Sequence, residues 1–465
     1  MAEAQRKLGT RQLVAYGQLV MPLAVIGLPV AIYIPPFYSG TLGLDLAAVG
    51  FILMVARLSD VVTDPLIGGL SDRTRTRWGR RRPWVALGVP VMMVSAFMLF
   101  VPRGEVTNLY LLIWISAIYF GFTLISIPYG AWGAELSGDY GERNRISGSR
   151  EIFLLLGLLI AITAPIIGAR LFDHDGNSAG RGAMAVLGWI PLLMLPVCAV
   201  IAFSSVPEPG AVEIRKTPFR KGLRIAMRNG PFRLILSTTI LGALAGSINA
   251  GVAVLFFDHV ARLGKAGPVL IFIMFAAGVI GSPLWVIVGN RIGKHRGIAA
   301  AGIVSLTAFA FVPAIIYLLR PVNPEAVLPA LFAVTLVQGL AMGATPILGA
   351  SILADVVDLD TIKSGEQRTA FIFAFLGMVR KVFEAAGVGI ALPVLAWAGF
   401  DPKVMTNSPQ ALFMLTAMYC LVPLVLWTIS VAIIWQYPIT RERQARLRAA
   451  LERRAARRAD FRTAD

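Results

Sequence analysis

The feature that most constrains this chain is a series of apolar stretches, each roughly 18–28 residues long, separated by mostly short polar segments. An α-helix needs about 20 apolar residues to cross about 30 Å of hydrocarbon. The stretches do not alternate with period two, so a membrane β-barrel is excluded. Twelve of them meet the length, at approximately 12–38, 46–71, 83–101, 107–135, 148–170, 184–205, 231–257, 268–289, 298–318, 327–354, 369–397 and 410–436. Composition points the same way. Of 465 residues, 57% are hydrophobic and 15% charged, against about 25% charged in soluble domains. A soluble core of this size has no room for so much apolar surface, which excludes a cytosolic enzyme, a disordered chain and a disulfide scaffold. The expected fold class is an all-α polytopic membrane protein with twelve transmembrane helices.

The net charge of +17 would suggest a nucleic-acid partner in a soluble protein. Here the basic residues cluster between apolar runs, so they read as topology and no nucleic acid is expected. The N-terminus, every second loop and the C-terminus together hold 33 of the 43 Lys and Arg, and the opposite loops hold 7. That bias places both termini in the cytoplasm of an inner (plasma) membrane protein. Arg6, Lys7 and Arg11 precede the first run with no cleavage site behind them, so that run reads as a retained first span. Cys198 and Cys420 sit inside apolar stretches and suit neither a bridge nor a metal site.

Four regions are expected: a six-helix bundle over 1–205, a cytoplasmic linker over 206–230 rich in Pro, Gly and charge, a second six-helix bundle over 231–436, and a basic tail over 437–465. The tail suits either anionic lipid headgroups or plain solvent. A weak repeat supports the halves. Pro65-Leu66 precedes GGLSDRTRTRWGRRR and Pro283-Leu284 precedes VGNRIGKHRG, 218 residues apart and each on the second helix of its half. Parallel six-helix halves are the architecture of carriers that rock around a midplane site.

The densest segment is RLSDVVTDPLIGGLSDRTRTRWGRRRPW at 57–84. Asp60 and Asp64 are four residues apart and share one face of the second helix. Each acid costs roughly 2.5–3.5 kcal/mol at mid-membrane, and two side by side repel. They persist where a cation or a proton sits between them, and Thr63 adds an oxygen of the kind hard cations accept. The competing reading is a structural network with Arg57, three residues before Asp60. Asp72, Arg73, Arg77 and Arg80 at the cytoplasmic end suit a conformational gate, or a topology signal.

These residues resemble the signature of the glycoside–pentoside–hexuronide:cation symporters, the melibiose-permease group of the major facilitator superfamily. The pattern R-x-x-D-x-x-x-D-P-x-x-G, then D-R-T-x-x-R-x-G-R/K-x-R/K-P-W, is met from Arg57 through Asp60, Asp64, Pro65, Gly68, Asp72, Arg73, Thr74, Arg77, Gly79, Arg80, Arg82 and Pro83 to Trp84. SIPYGAWGAELSGDYGERNRISGSR and ADVVDLDTIKSGEQRTAFIFAFLGMVRKVFEAAG are similar to two further family blocks, so the resemblance spans both halves. It implies the major facilitator fold and a cation site at Asp60, Thr63, Asp64 and Thr123, with Lys381 and Arg57 in coupling. It also implies that Arg150 contacts substrate. The sugar-binding aspartates of melibiose permeases are absent: Gln18 and Leu19 stand at the first position and Ser126 at the second. Galactoside recognition therefore changes.

Polar or aromatic residues inside the helices, namely Gln18, Tyr33, Tyr129, Trp132, Asn249 and Gln338, are the other candidates for substrate, as alternatives to helix packing. Glu384 reads as a local neutraliser of Arg380 or Lys381, and His174, His259 and His295 as solvated loop residues. Pro22, Pro29, Pro35 and Pro36 lead us to expect breaks in the first helix. The sequence thus predicts a monomeric symporter without cofactor, driven by Na⁺ or H⁺, whose partners are a small polar solute and membrane lipids. The alternatives are a lysolipid carrier and a solute sensor that does not transport. No metal-ligand histidine pair, nucleophile elbow or Walker sequence points to an enzyme.

Overall fold

The computed structural model describes residues 7–137, 140–172, 180–208, 219–364 and 369–438. Arg6, residues 209–218 of the 206–230 linker, His174 and the tail beyond 438 lie outside the described residues. The regular structure among the described residues is helical, apart from one isolated bridge between Thr76 and Gly79. The first half contains α1 (Thr10–Ile32), α2 (Leu46–Arg73), α3 (Arg82–Phe100), α4 (Asn108–Glu135), α5 (Tyr140–Leu171) and α6 (Arg181–Ser205). A short helix, Phe219–Met227, follows. The second half contains α7 (Gly230–Val260), α8 (Gly267–Ile292), α9 (Lys294–Leu319), α10 (Val327–Met342 and Ala344–Ser364), α11 (Thr369–Trp397) and α12 (Pro409–Trp435). Among the described residues, eleven helices are long and apolar enough to cross a membrane. The remaining one, α11, has 29 residues and carries Arg380, Lys381 and Glu384 along its length. This is a multi-pass membrane protein.

The sequence dictates where the helices start and break. Asp45 caps α2 by accepting from the Ala48 amide at 2.8 Å, and Thr107 caps α4 from Tyr110 at 3.2 Å. α1 breaks at Gln18–Leu19, where Pro22 removes the amide that would bond the Gln18 carbonyl, and turns again at Tyr33 before Pro35 and Pro36. α2 breaks at Ser59, whose hydroxyl bonds the Ala56 carbonyl at 2.7 Å. α5 starts at Tyr140, eight residues before the apolar run, because the polar stretch through Arg145 continues the helix.

α1 is followed by a wide π turn, Phe37–Thr41, and α7 ends in another, Phe256–Val260. The two lie 219 residues apart, and their hydrogen bonds recur at that offset. Leu42 N bonds Phe37 O and Ala261 N bonds Phe256 O, while Leu44 N bonds Tyr38 O and Leu263 N bonds Phe257 O, all at 2.9 Å. The left-handed position after each turn is Gly43 (φ 83°) in one copy and Arg262 (φ 54°) in the other.

The chain divides into two compact units that do not follow its halves. One comprises Met1–Glu213, Gly246–Phe275 and Glu384–Tyr419; the other comprises Ile214–Ala245, Ala276–Phe383 and Cys420–Asp465. Within the first unit, α3 packs along α4, and α5 lies against α1 and α6. The segment after Glu384 joins this unit because it packs on α2, where a Cβ placed at Gly389 would lie 2.4 Å from the Met54 sulfur. Within the second unit, Phe232, Ala299, Ile352, Val356, Ile372 and Ile434 form an apolar core.

Candidate functional site

The break at Ser59 makes Asp60 the first residue of the second α2 segment, where the positive end of the helix favours a carboxylate. Asp60 is 2% exposed and lies 3.3 Å from the Arg57 guanidinium. The other arm of Arg57 reaches Glu384, also at 3.3 Å, and the group stacks 4.9 Å over the Tyr119 ring. One turn along α2, Asp64 accepts a 2.8 Å hydrogen bond from the fully buried Thr123 hydroxyl of α4. The Thr63 hydroxyl between the two acids in sequence is buried with no hydrogen-bond partner. The first unit thus joins two carboxylates, two hydroxyls and one guanidinium. This donor set is all oxygen, as hard cations and protons require. Arg57 engages Asp60, as the network reading expects, while Asp64 is held by a hydroxyl. Lys381 is half-buried on α11 and belongs to the second unit.

A cavity of about 280 Å³ opens in the first unit, lined by Tyr16, Gly130, Gly133, Ala134, Ile146, Ser147 and Arg150. Arg150 bonds Glu151 at 2.9 Å on an exposed edge. Tyr129 stands behind the cavity: its ring stacks on Tyr16 at 4.6 Å, and the two hydroxyls bond each other's backbone carbonyls at 3.0 and 3.2 Å. Gln18 donates to the Cys198 carbonyl at 3.4 Å, and Asn249 to the Tyr419 carbonyl at 2.9 Å. Gln338 is half-buried on α10 in the second unit. Trp132 lies outside the lining of this cavity. Its indole is fully buried, its N–H donates to the Pro207 carbonyl at 2.9 Å, and the Arg82 guanidinium lies 5.6 Å above it. It belongs to the framework at the end of α6 and presents no edge to the cavity.

That framework is the cluster at the end of α2. Arg81 is 1% exposed and binds Asp72 at 2.8 Å, Glu135 at 2.6 Å and the Ser71 hydroxyl at 2.8 Å. Arg80 pairs with Glu135 at 2.9 Å. Glu208 accepts from the Arg80 and Arg81 amides at 2.6 and 2.7 Å, and Arg82 reaches the Val206 carbonyl at 2.5 Å. Gly79 admits this carboxylate: its φ is 102°, and a Cβ there would sit 2.2 Å from Glu208. Of the expected gate residues, Asp72 and Arg80 take part, whereas Arg73 and Arg77 are exposed. The buried hub is Arg81. Sequence reasoning missed it, along with Glu135 and Glu208; the one usable signal was their being acids at the ends of apolar runs. The histidines are also corrected. His259 is 6% exposed and meets the Phe400 ring edge-on at 5.1 Å, and His295 is 8% exposed beside Tyr437. The wide turn and the first turn of α9 bury them.

The sequence profile of the family described as MFS/sugar transport protein matches residues 15–441. The chain belongs to this family. Among its relatives in the family, the inner membrane symporter YicJ of Escherichia coli (strain K12) is 24% identical over 440 residues, covering 92% of each chain. The sodium-dependent lysophosphatidylcholine symporter 1 of Xenopus tropicalis is 23% identical, covering 90% of this chain and 83% of that one. In solved structures, a mutant of the nucleoside transporter NupG superposes with a TM-score of 0.67 at 13% identity, covering 91% of this chain and all of that chain. The fold of this family member is that of major facilitator transporters.

Proposed function

We propose that the protein is a secondary active symporter of the inner (plasma) membrane, with both termini cytoplasmic. It couples uptake of a small polar solute, a sugar or glycoside, to a Na⁺ or H⁺ gradient. The observation that carries the reading is the Asp64–Thr123 bond one turn from buried Asp60, beside the unpartnered Thr63 hydroxyl. Desolvated carboxylates so arranged favour a visiting positive charge.

Binding at Asp60 and Asp64 neutralises their repulsion and orders the α2–α4 pair. Arg57 and Lys381 supply positive charge when the site is empty. Solute binds beside Arg150, with Gln18, Tyr129, Asn249 and Gln338 shaping or supporting its path. The halves 1–205 and 231–436 then exchange access as a monomer, with 206–230 as linker, the Asp72 and Arg80 cluster as cytoplasmic gate and 437–465 as a basic tail. The membrane potential adds about 2.3 kcal/mol per charge per 100 mV, and each ligand raises affinity for the other by the same factor. No cofactor beyond the coupling ion enters the scheme.

Proteoliposomes given labelled sugars with a Na⁺ gradient, an H⁺ gradient or neither provide the test. Accumulation is expected only with one of the gradients. Asp60→Asn and Asp64→Asn are each expected to abolish it at near-normal protein levels; concentrative uptake retained in both overturns the cation site. The vertebrate lysophosphatidylcholine symporters among the relatives favour a second reading, an amphiphile carrier. Labelled lysophosphatidylcholine in the same vesicles decides between them.

A further inference from the structure

Glu384 lies outside every role the cation-coupled reading assigns, yet it shares Arg57 with Asp60. The two carboxylates stand 3.3 Å from different nitrogens of one guanidinium, so Arg57 is held from both sides. Asp60 is 2% exposed and Glu384 32% exposed. The Glu384 backbone is fixed as well, because Ser247 of α7 donates to its carbonyl oxygen. Tyr119 of α4 lies under the guanidinium, and Arg380 and Lys381 precede Glu384 on α11. Immediately beyond Glu384, α11 packs on α2 through Gly389 against Met54 and Leu392 against Gly50.

A cation arriving at Asp60 repels Arg57 and takes over its carboxylate. A guanidinium released into a desolvated site would make cation binding unfavourable unless a second acceptor were already in reach. Glu384 is such an acceptor. We propose that Glu384 is the positioning residue that keeps Arg57 when a cation displaces it from Asp60, so that occupancy of α2 is passed to the α11 seam at Met54 and Gly389. The inference rests on the cation-coupled reading and deepens it: the coupling path runs from Asp60 through Arg57 to Glu384.

The test uses the full chain carrying Met54→Cys in liposomes, and reads the N-ethylmaleimide alkylation rate against NaCl at fixed pH and against pH in choline chloride. The unsubstituted chain, whose Cys198 and Cys420 are buried, sets the background. We expect the rate to change with one cation. Glu384→Gln should raise the Na⁺ midpoint about tenfold, or lower the pH midpoint by about one unit, because Arg57 then rests on Asp60 alone. Glu384→Asp should restore most of the shift. Arg57→Gln should abolish the effect of Glu384→Gln, since no displaced guanidinium remains. An unshifted midpoint in Glu384→Gln, or shifts that add in the double variant, overturns the inference while cation coupling stands. A chain whose labelling ignores both cations overturns the two together.

Discussion

Each half of the chain carries a charged cluster after its second helix, and the two are built differently. In the first unit, Arg80, Arg81 and Arg82 meet Asp72, Glu135 and Glu208, and backbone amides and carbonyls join in. In the second, the ion pair among the described residues is that of the Lys294 ammonium with the Asp355 carboxylate at 2.8 Å. A guanidinium offers five donors in a rigid fork and can serve several acceptors at once, whereas an ammonium is a compact point charge. The first cluster can therefore tie α2, α3, α4 and the end of α6 into one block. Among the described residues, the Lys294–Asp355 pair joins the start of α9 to α10. The repeat kept a charged cluster at this position and changed its buried cation partner from a guanidinium to an ammonium.

Three substitutions probe that contrast, in falling order of effect. Arg81→Ala removes the buried guanidinium that Asp72 and Glu135 share and should cost about 3–5 kcal/mol. Thermal unfolding of the purified protein should show it as the largest loss; a shift no greater than that of a surface arginine would dissolve the distinction. Gly79→Ala forces a side chain into a left-handed position against Glu208 and should cost about 1–3 kcal/mol, read in the same assay and reduced when Glu208 is shortened to Ala. Lys294→Met removes a partly exposed partner from the buried Asp355 carboxylate and should cost about 1–2 kcal/mol. A loss equal to that of Arg81→Ala would show that the two clusters bear the same load.

Much of the architecture was legible because the bilayer imposes it. Apolar length marks the helices, and prolines mark the breaks in α1. That Asp60 and Asp64 meet polar partners was legible because acids spaced one turn apart have no inexpensive place in a membrane. What escaped notice depends on tertiary contact. Arg81 sits among Arg73, Arg75, Arg77, Arg80 and Arg82, and nothing in that local string says which one is buried. Its partner Glu135 lies 54 residues away, and Glu208 bonds the Arg81 amide from 127 residues away. Glu384 reads as a neutraliser of Arg380 or Lys381 because they are near in sequence; that it also meets Arg57, 327 residues distant, only the fold shows. Trp132 stood out by residue type alone, and its hydrogen bond to the Pro207 carbonyl, 75 residues away, depends on the fold.

The matching wide turns after α1 and at the end of α7 have a consequence for how the chain arose. Side chains at the two copies have diverged, and even the left-handed position passed from glycine to arginine, yet the amide-to-carbonyl pattern survives residue for residue. An extra residue in a helix turns everything beyond it by about 100°, so deleting it from one copy would misdirect the loop that follows. Ancestry is thus recorded here in backbone geometry, in a place where an alignment of the two halves by residue identity would find little to match.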